Sequence, residues 1–274
     1  MRRYQLSDGT SMRRWIGERV ARGESLVGTF VSTPSLATSE VLAACGFDVL
    51  VADAEHSPLS PADVQTIIAG ADLGGVPALV RLSDDSATSI QYALDAGAAG
   101  VIVPRVHTAA QTAAVVAAAT YPPRGVRGAG GGRASLYGLD RPVSMEEALA
   151  ETLIAVQIES AEAVANLDAI LAVEHLSMVF VGPNDLWHSL GRPPEEELRR
   201  VIDDVLVRAH AAGVRTGILA STPELVDRYR RAGVSLLLSG TDVALLADGA
   251  RALIAAVAPR DAPPDHQDHQ SIDR

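Results

Sequence analysis

The stretch "PALVRLSDDSATSIQYALDAGAAGVIVPRV" at residues 77–106 contains one complete strand, helix and strand unit. A short run rich in β-branched residues lies at each end, and the helical pattern between them ends at Gly97. Glycine commonly follows the last residue of a helix, because it adopts the left-handed backbone conformation without strain. The stretch therefore predicts two parallel strands joined by a helix.

The same unit recurs along the chain. The predicted strands are "LVGTFVS", "FDVLVAD", "PALVRL", "AGVIVPRV", "LIAVQIE", "LSMVFVG", "VRTGILA" and "VSLLLSG". Strands that are apolar at consecutive positions are typical of parallel strands that helices cover on both faces. Eight such units in about 215 residues favour an α/β fold, a closed (β/α)₈ TIM barrel, over a doubly wound open sheet.

Segments outside the units define the expected domain boundaries. We predict one barrel domain over residues 11–260, preceded by an N-terminal extension at residues 1–10 and followed by a disordered tail at residues 261–274. Residues 11–23 predict an extra helix that covers the bottom of the barrel. Residues 122–150 form a long loop rich in glycine and proline, and such loops are usually functional or disordered.

Composition limits the partners and the compartment. The net charge of −11 argues against nucleic acid and anionic membrane surfaces, which both need clustered positive charge. No apolar run approaches the roughly 20 residues of a membrane span, and no signal-peptide pattern opens the chain, so we expect a cytoplasmic protein. The single cysteine, Cys45, excludes an intrachain disulfide, and we expect it to pack inward from a helix.

All 23 basic residues are arginine, and the chain contains no lysine. Schiff-base chemistry through a lysine amine is therefore excluded, as is a P-loop lysine. The exclusion holds whatever the cause of the missing lysine.

Polar residues follow the predicted strands at the point where a barrel enzyme places its active face. Asp53 and His56 follow the second strand, and Arg81 ends the third. An arginine there supplies fixed positive charge for a developing oxyanion, and a histidine carries protons at neutral pH. A polar surface role for His56 stays open on these grounds.

Two carboxylates on adjacent strands suggest a metal site. Gln157 and Glu159 share one face of the fifth strand, because side chains alternate along a strand. A buried carboxylate is costly unless it is paired or binds a metal, and Asp185 begins the helix after the sixth strand. Oxygen ligands of this kind suit Mg²⁺ or Mn²⁺. Taken alone, Asp185 is better explained as a cap of its helix.

Five motifs carry a resemblance to a known family. They are "ADAEHSPLS", "LVRLSDDSATSIQYALDAGAAGVIVPRVHTAAQ", "YPPRGVRG", "VQIESAEAVANLDAI" and "VFVGPNDLWHSLG". In this order they resemble the HpcH/HpaI aldolases, metal-dependent class II pyruvate aldolases related to the citrate lyase β subunit. The resemblance extends over residues 24–257 and is carried by several separated motifs.

The resemblance implies a cation site and a substrate site. Glu159 and Asp185 match the family's ligands for a divalent metal ion, for which Mg²⁺, Mn²⁺ and Co²⁺ are the candidates. Gln157, Asn184 and Asp185 match positions that hold the 2-oxo acid. The family often has a serine where Trp187 stands, which would narrow the pocket of this chain.

The resemblance also implies the catalytic residues. His56 matches the acid/base, and Asp95 matches the carboxylate that raises the basicity of that histidine. Arg81 matches the arginine that stabilises the transition state. Asp53 is expected to support the His56 loop or a metal-bound water.

The implied activity is the cleavage or formation of 4-hydroxy-2-oxo acids from pyruvate and an aldehyde. The implied assembly is a homo-oligomer, a hexamer or trimer of dimers, in which the C-terminal helix "ALLADGARALIAAVA" is exchanged between subunits. One alternative is a family member that uses oxaloacetate by decarboxylation to form a carbon–carbon bond. Another is a phosphate-binding barrel isomerase, supported by "LLLSGTD" near the eighth strand.

Overall fold

Eight parallel strands form a closed barrel in which each strand pairs with the next one in sequence. The computed structural model describes residues 12–139, 148–149 and 151–257. The closed barrel confirms the predicted (β/α)₈ fold and excludes the open sheet. The predicted extension at residues 1–10 and the predicted tail at residues 261–274 lie outside the described residues.

Each of the eight predicted strand segments overlaps an observed strand. The strands are β1 (Leu26–Val31), β2 (Val49–Asp53), β3 (Ala78–Arg81), β4 (Gly100–Val103), β5 (Leu153–Ile158), β6 (Met178–Val181), β7 (Arg215–Leu219) and β8 (Leu236–Thr241). The helices are α1 (Met12–Ala21), α2 (Leu36–Ala44), α3 (Pro61–Leu73), α4 (Ala87–Asp95), α5 (Ala109–Ala119), α6 (Ala161–Ala165), α7 (Leu167–Leu171), α8 (Pro183–Ser189), α9 (Glu195–Ala211), α10 (Pro223–Arg231) and α11 (Asp242–Val257). A short 3₁₀ helix at Arg133–Gly138 lies between α5 and β5.

Two apolar layers hold the barrel together, because successive strand residues point alternately inward and outward. The interior layer contains Leu26, Phe30, Val49, Val51, Leu79, Ile102, Leu153, Ala155, Met178, Phe180, Leu236 and Leu238. The residues between them pack outward against the helices. Gly217 on β7 lies so close to Phe180 that a Cβ atom there would meet Cδ2 of the ring at 2.6 Å. Its lack of a side chain makes room for the largest interior residue of β6.

Helix α1 closes the bottom of the barrel, at the N-terminal ends of the strands. Ile16 and Val20 are buried and belong to the same apolar layer as Leu26 and Val49, which begin β1 and β2. This confirms both the predicted extra helix and its position under the barrel.

Cys45 corrects one expectation from the sequence. It follows the last residue of α2 and is exposed, while Leu42 and Ala43 take the buried positions of that helix. A helix turns about 100° per residue, so a cysteine two positions beyond a buried alanine lies on another face. Among the described helices, none is long and apolar enough to cross a membrane.

Helix α11 presents an apolar surface to solvent. Leu246, Leu253, Ile254 and Val257 are each more than 60% exposed. Exposed apolar patches of this kind usually mark an interaction site. We propose that α11 packs against a second copy of the chain, as expected for an exchanged C-terminal helix.

Charged substitutions on α11 are expected to break this assembly. The double variant Leu246→Arg and Leu253→Arg places two charges seven residues apart on one face of the helix. Sedimentation velocity should show an oligomer for the wild type and a smaller particle for the variant. Val207→Arg is the control, because Val207 is equally exposed but lies on α9. A monomeric wild type would contradict the proposal.

Candidate functional site

The polar residues of the site are the last inward-facing residues of their strands. Asp53 continues the inward row of β2, Arg81 that of β3, and Gln157 and Glu159 that of β5. All four are at least 90% buried at the mouth of the barrel, where the C-terminal strand ends meet. Every second strand residue points into the barrel. These inward side chains are apolar in the barrel interior and polar at the C-terminal ends of the strands.

Arg81 and Asp53 form a two-point ion pair between neighbouring strands. Their Cα atoms are register partners, and Nε and Nη2 of Arg81 donate to the two carboxylate oxygens of Asp53 at 2.9 and 2.8 Å. The guanidinium also lies 4.2 Å from the centre of the Phe30 ring. Paired hydrogen bonds and a ring face fix the plane of the guanidinium.

Asp53 also ties down the turn that follows β2. Its Oδ1 atom accepts hydrogen bonds from the backbone N–H groups of Glu55 and His56 at 3.2 and 3.3 Å. The His56 side chain is 58% exposed, and its Nε2 atom lies 3.8 Å from Oε2 of Glu55. The ring therefore stands at the mouth on a turn that the Arg81 partner holds in place.

Glu55 also belongs to this site, as expected for the acids at residues 53–56, although the sequence assigns it no chemical role. Its side chain is 9% exposed, and Oε2 lies 3.4 Å from Nη1 of Arg81 but has no hydrogen-bond partner among the described residues. Burial raises the pKa of the Glu55 carboxyl, and the negative charge of Glu159 adds to this rise, while Arg81 opposes it. The sequence around Glu55 does not show how deeply its carboxylate is buried, because that burial depends on the closed barrel.

Glu159 is held by two donors from different segments. Its Oε1 atom accepts from the backbone N–H of Arg105 at 2.7 Å, and its Oε2 atom accepts from the side-chain amide of Gln157. A Cβ atom at Gly182, just after β6, would lie 3.1 Å from Glu159 Oε2 and from Gln157 Nε2. The absence of a side chain at Gly182 leaves the space that this pair occupies.

Asn184 and Asp185 lie in the first turn of α8, which begins directly after Gly182. Both residues are exposed, and Gly182 is hydrogen-bonded to the end of β5 through its N–H and the Ile158 carbonyl at 3.1 Å. The start of α8 is thus attached to the strand that carries Glu159. The two predicted metal ligands therefore come from adjacent segments of the mouth.

The donor set fits a cation that keeps much of its shell for water and substrate. Within residues 12–139, 148–149 and 151–257, no three His, Cys, Asp or Glu side chains cluster as metal ligands. Gln157 Oε1 is buried without a hydrogen-bond partner in this part of the chain, next to the carboxylate of Glu159. One or two carboxylates with further oxygen ligands are the usual site of Mg²⁺, whereas a structural zinc site takes four ligands.

Asp95 does not lie beside His56 of the same chain. It is the last residue of α4, which runs back toward the bottom of the barrel before β4 begins, whereas His56 follows the upper end of β2. Its Oδ1 atom accepts from Nη2 of Arg127 at 2.9 Å. Because a helix and its strand run in opposite directions, Asp95 and His56 of one chain lie at opposite ends of this unit, and the role of Asp95 toward His56 stays a prediction.

The end of β8 does not favour the phosphate-binding alternative. Asp242 is buried there, and its two carboxylate oxygens accept from the backbone N–H groups of Ser32 and Thr33 at 2.9 Å each. The Asp242 carboxylate accepts from backbone N–H groups that could otherwise bind a phosphate, and its negative charge repels phosphate.

Replacing Glu55 by glutamine is expected to make the protein more stable at high pH. The pKa of the Glu55 carboxyl is higher in the folded state than in the unfolded chain. Ionising this carboxyl therefore costs stability, and that cost is absent at a pH below the unfolded-state pKa and is present in full once the pH has risen through the folded-state pKa. The gain of Glu55→Gln in urea unfolding should therefore grow as the pH rises above the ordinary glutamate pKa of 4.5. Exposed Glu162→Gln should show no such trend; an equal gain at all pH values would contradict the assignment.

Comparison with known proteins places the barrel and its mouth in one family. The family model HpcH/HpaI aldolase/citrate lyase matches residues 26–249. The 2-dehydro-3,6-dideoxy-6-sulfogluconate aldolase of Pseudomonas putida is 35% identical over 246 residues, which cover 88% of this chain and 96% of that protein. The 4-hydroxy-2-oxovalerate aldolase of Rhodococcus jostii (strain RHA1) is 37% identical over 246 residues, covering 87% and 94% of the two chains.

The fold agrees with this comparison. The crystal structure of an HpcH/HpaI aldolase/citrate lyase family protein from Burkholderia cenocepacia J2315 superposes with a TM-score of 0.84 at 31% identity. The match covers 90% of this chain and all of that one. The chain therefore belongs to the HpcH/HpaI aldolase/citrate lyase family of enzymes.

Proposed function

We propose that the protein is a metal-dependent aldolase that cleaves or forms 4-hydroxy-2-oxo acids, with pyruvate as one half and an aldehyde as the other. The observation that carries this proposal is the buried mouth layer, in which the Arg81–Asp53 pair lies beside the Gln157–Glu159 pair. Two similar proteins are named for a 4-hydroxy-2-oxo acid and a 2-dehydro-3-deoxy acid, which supports the substrate class. The chain has no lysine to provide an iminium in place of a metal.

Glu159 and Asp185 would hold the divalent cation, Mg²⁺, Mn²⁺ or Co²⁺. When bound, such an ion polarises the keto oxygen of the 2-oxo acid as a Lewis acid. Gln157 and Asn184 would orient the 2-oxo acid beside these ligands, since the side-chain amide of Gln157 is buried next to the carboxylate of Glu159.

Arg81 would stabilise negative charge on the reacting oxygens. Asp53 takes the Nε–H group and one N–H group of Nη2, so the second N–H of Nη2 and the N–H groups of Nη1, which lies 3.4 Å from Glu55 Oε2, are the donors left for a substrate. A cation held in a fixed plane needs no reorganisation when charge develops. The buried position strengthens the interaction relative to water.

His56 would move the proton of the substrate hydroxyl. In cleavage a ring nitrogen takes the proton from the C4 hydroxyl, the C3–C4 bond breaks, and the aldehyde carbonyl forms. The bond electrons remain on the pyruvate fragment. Asp95 of the same chain lies at the other end of the barrel, so any action of Asp95 on His56 would come from a neighbouring copy in a homo-oligomer.

Metal removal is the first test of the proposed function. Purified protein should add pyruvate to an aldehyde, lose this activity in EDTA, and recover it with Mg²⁺, Mn²⁺ or Co²⁺. Glu159→Gln should weaken Mn²⁺ binding, measured by calorimetry, by at least about tenfold, since even indirect ligand contacts are worth that much. Exposed Glu162→Gln, three residues along, should bind Mn²⁺ normally.

The same assay separates the oxaloacetate alternative. Consumption of oxaloacetate with carbon–carbon bond formation, and no reaction of pyruvate with aldehydes, would replace the aldolase proposal. Equal Mn²⁺ affinity in the wild type and Glu159→Gln would remove Glu159 from the cation site.

Loss of Arg81 should remove most of the turnover. Arg81→Ala is expected to lower kcat by about 10²- to 10³-fold, as for other oxyanion donors, while Mn²⁺ still binds. Because it leaves Asp53 unpaired, it should also reduce the free energy of unfolding by about 3–5 kcal/mol. Arg81→Lys keeps the charge with less loss of stability and should remain slow, because lysine lacks the planar fork.

Arg208→Ala is the control for an arginine in ion pairs on the outside of the barrel, with Asp168 and Asp204. It should retain full turnover. Normal turnover of Arg81→Lys and Arg81→Ala would exclude Arg81 from the chemistry.

A further inference from the structure

Arg105 is a second arginine at the mouth, two residues beyond the end of β4. Its backbone φ is 57°, in the left-handed region that non-glycine residues seldom adopt. The N–H of the same residue donates to Glu159 Oε1 at 2.7 Å. This hydrogen bond attaches the loop after β4 to the buried carboxylate of Glu159, and it fixes the position of the Arg105 backbone relative to Glu159.

The side chain of Arg105 lies in an outer layer of the mouth. The residue is exposed, and its Nη2 atom donates to the carbonyl oxygen of Ser83, just beyond β3. Its positive charge also acts to lower the pKa of the Glu55 carboxyl. Arg81 contacts Glu55 from the buried side, so the guanidinium of Arg105 lies further out over the same part of the mouth.

The two mouth arginines differ in their partners. Arg81 is neutralised by the carboxylate of Asp53. Arg105 has no carboxylate at ion-pair distance among the residues that the structure describes, and its guanidinium is bonded to one carbonyl oxygen. A guanidinium has five N–H donors in a planar fork that matches the oxygens of carboxylate or sulfonate groups. Most of these donors are therefore exposed and have no charged partner among the described residues.

We propose that Arg105 binds an anionic group, a carboxylate or a sulfonate, at the far end of the aldehyde half of the substrate. This inference rests on the proposed function. With the 2-oxo acid in the buried layer of Gln157 and Glu159, the aldehyde half would extend outward, and Arg105 is an exposed cation attached to that layer through its N–H contact with Glu159. The protein is thus selective for aldehydes that carry a terminal negative charge.

Matched aldehydes test this selectivity directly. Succinic semialdehyde carries a terminal carboxylate, and methyl 4-oxobutanoate has the same chain with a neutral ester. The kcat/KM for addition of pyruvate should be at least about tenfold higher for the charged aldehyde, as a charge-assisted hydrogen bond provides. This preference should fall with ionic strength, because the guanidinium is exposed. 3-Oxopropanesulfonate in place of the carboxylate tells which of the two anions is preferred.

Variants of Arg105 separate binding from a structural role. Arg105→Gln should reduce kcat/KM for succinic semialdehyde about 10- to 100-fold and leave the value for the ester within about threefold. Arg105→Lys should keep part of the preference, because it keeps the charge. Arg200→Gln, an exposed arginine on α9, should change neither value. Equal losses for both aldehydes, or no preference in the wild type, would overturn the inference.

A separate readout distinguishes this inference from the proposed function. Exchange of the pyruvate methyl protons in D₂O, followed by NMR without any aldehyde, reports the 2-oxo acid half alone. Exchange without a preference for charged aldehydes overturns the role of Arg105 and leaves the proposed function standing. No exchange and no addition in the wild type, with each metal supplied, overturns both.

Discussion

The site depends on the ion pair between Arg81 and Asp53, two register partners on adjacent strands. Both charges are buried, so each is tolerated because the other meets it in a two-point hydrogen-bonded contact. The pair fixes the plane of the guanidinium, and Asp53 uses a second set of lone pairs to hold the turn that carries His56. One carboxylate thereby couples the position of Arg81 to the position of His56.

The fold was predictable because it rests on repeated local patterns. Eight apolar runs, helix-ending glycines such as Gly97 and Gly213, and the amphipathic segment at residues 11–23 each specify an element without reference to distant residues. The positions of Arg81 and Glu159 at the mouth could also be predicted from the sequence, because each residue continues the inward row of an apolar strand. Their chemical roles rested on the family resemblance and stay predictions.

The features that the sequence did not reveal depend on how distant parts of the chain come together in the fold. Glu55 is next to a histidine in a loop, and only the closed barrel shows that its carboxyl is buried beside Arg81. The role of Asp95 stays a prediction, and its place away from His56 of the same chain follows from the direction of α4 relative to the strands. Cys45 was assigned by residue type, whereas its exposure depends on where α2 ends.

Helix α1 closes the lower end of the barrel, so small molecules would reach the polar residues of the site from the mouth at the upper end. Ile16 and Val20 fill the base, and interior side chains such as Phe180 occupy the space above them. For the proposed aldolase, the keto acid that binds deepest would enter first and the aldehyde would follow it. The fragments formed by cleavage would leave in the reverse order, so the proposed binding sites in this architecture imply an ordered kinetic mechanism.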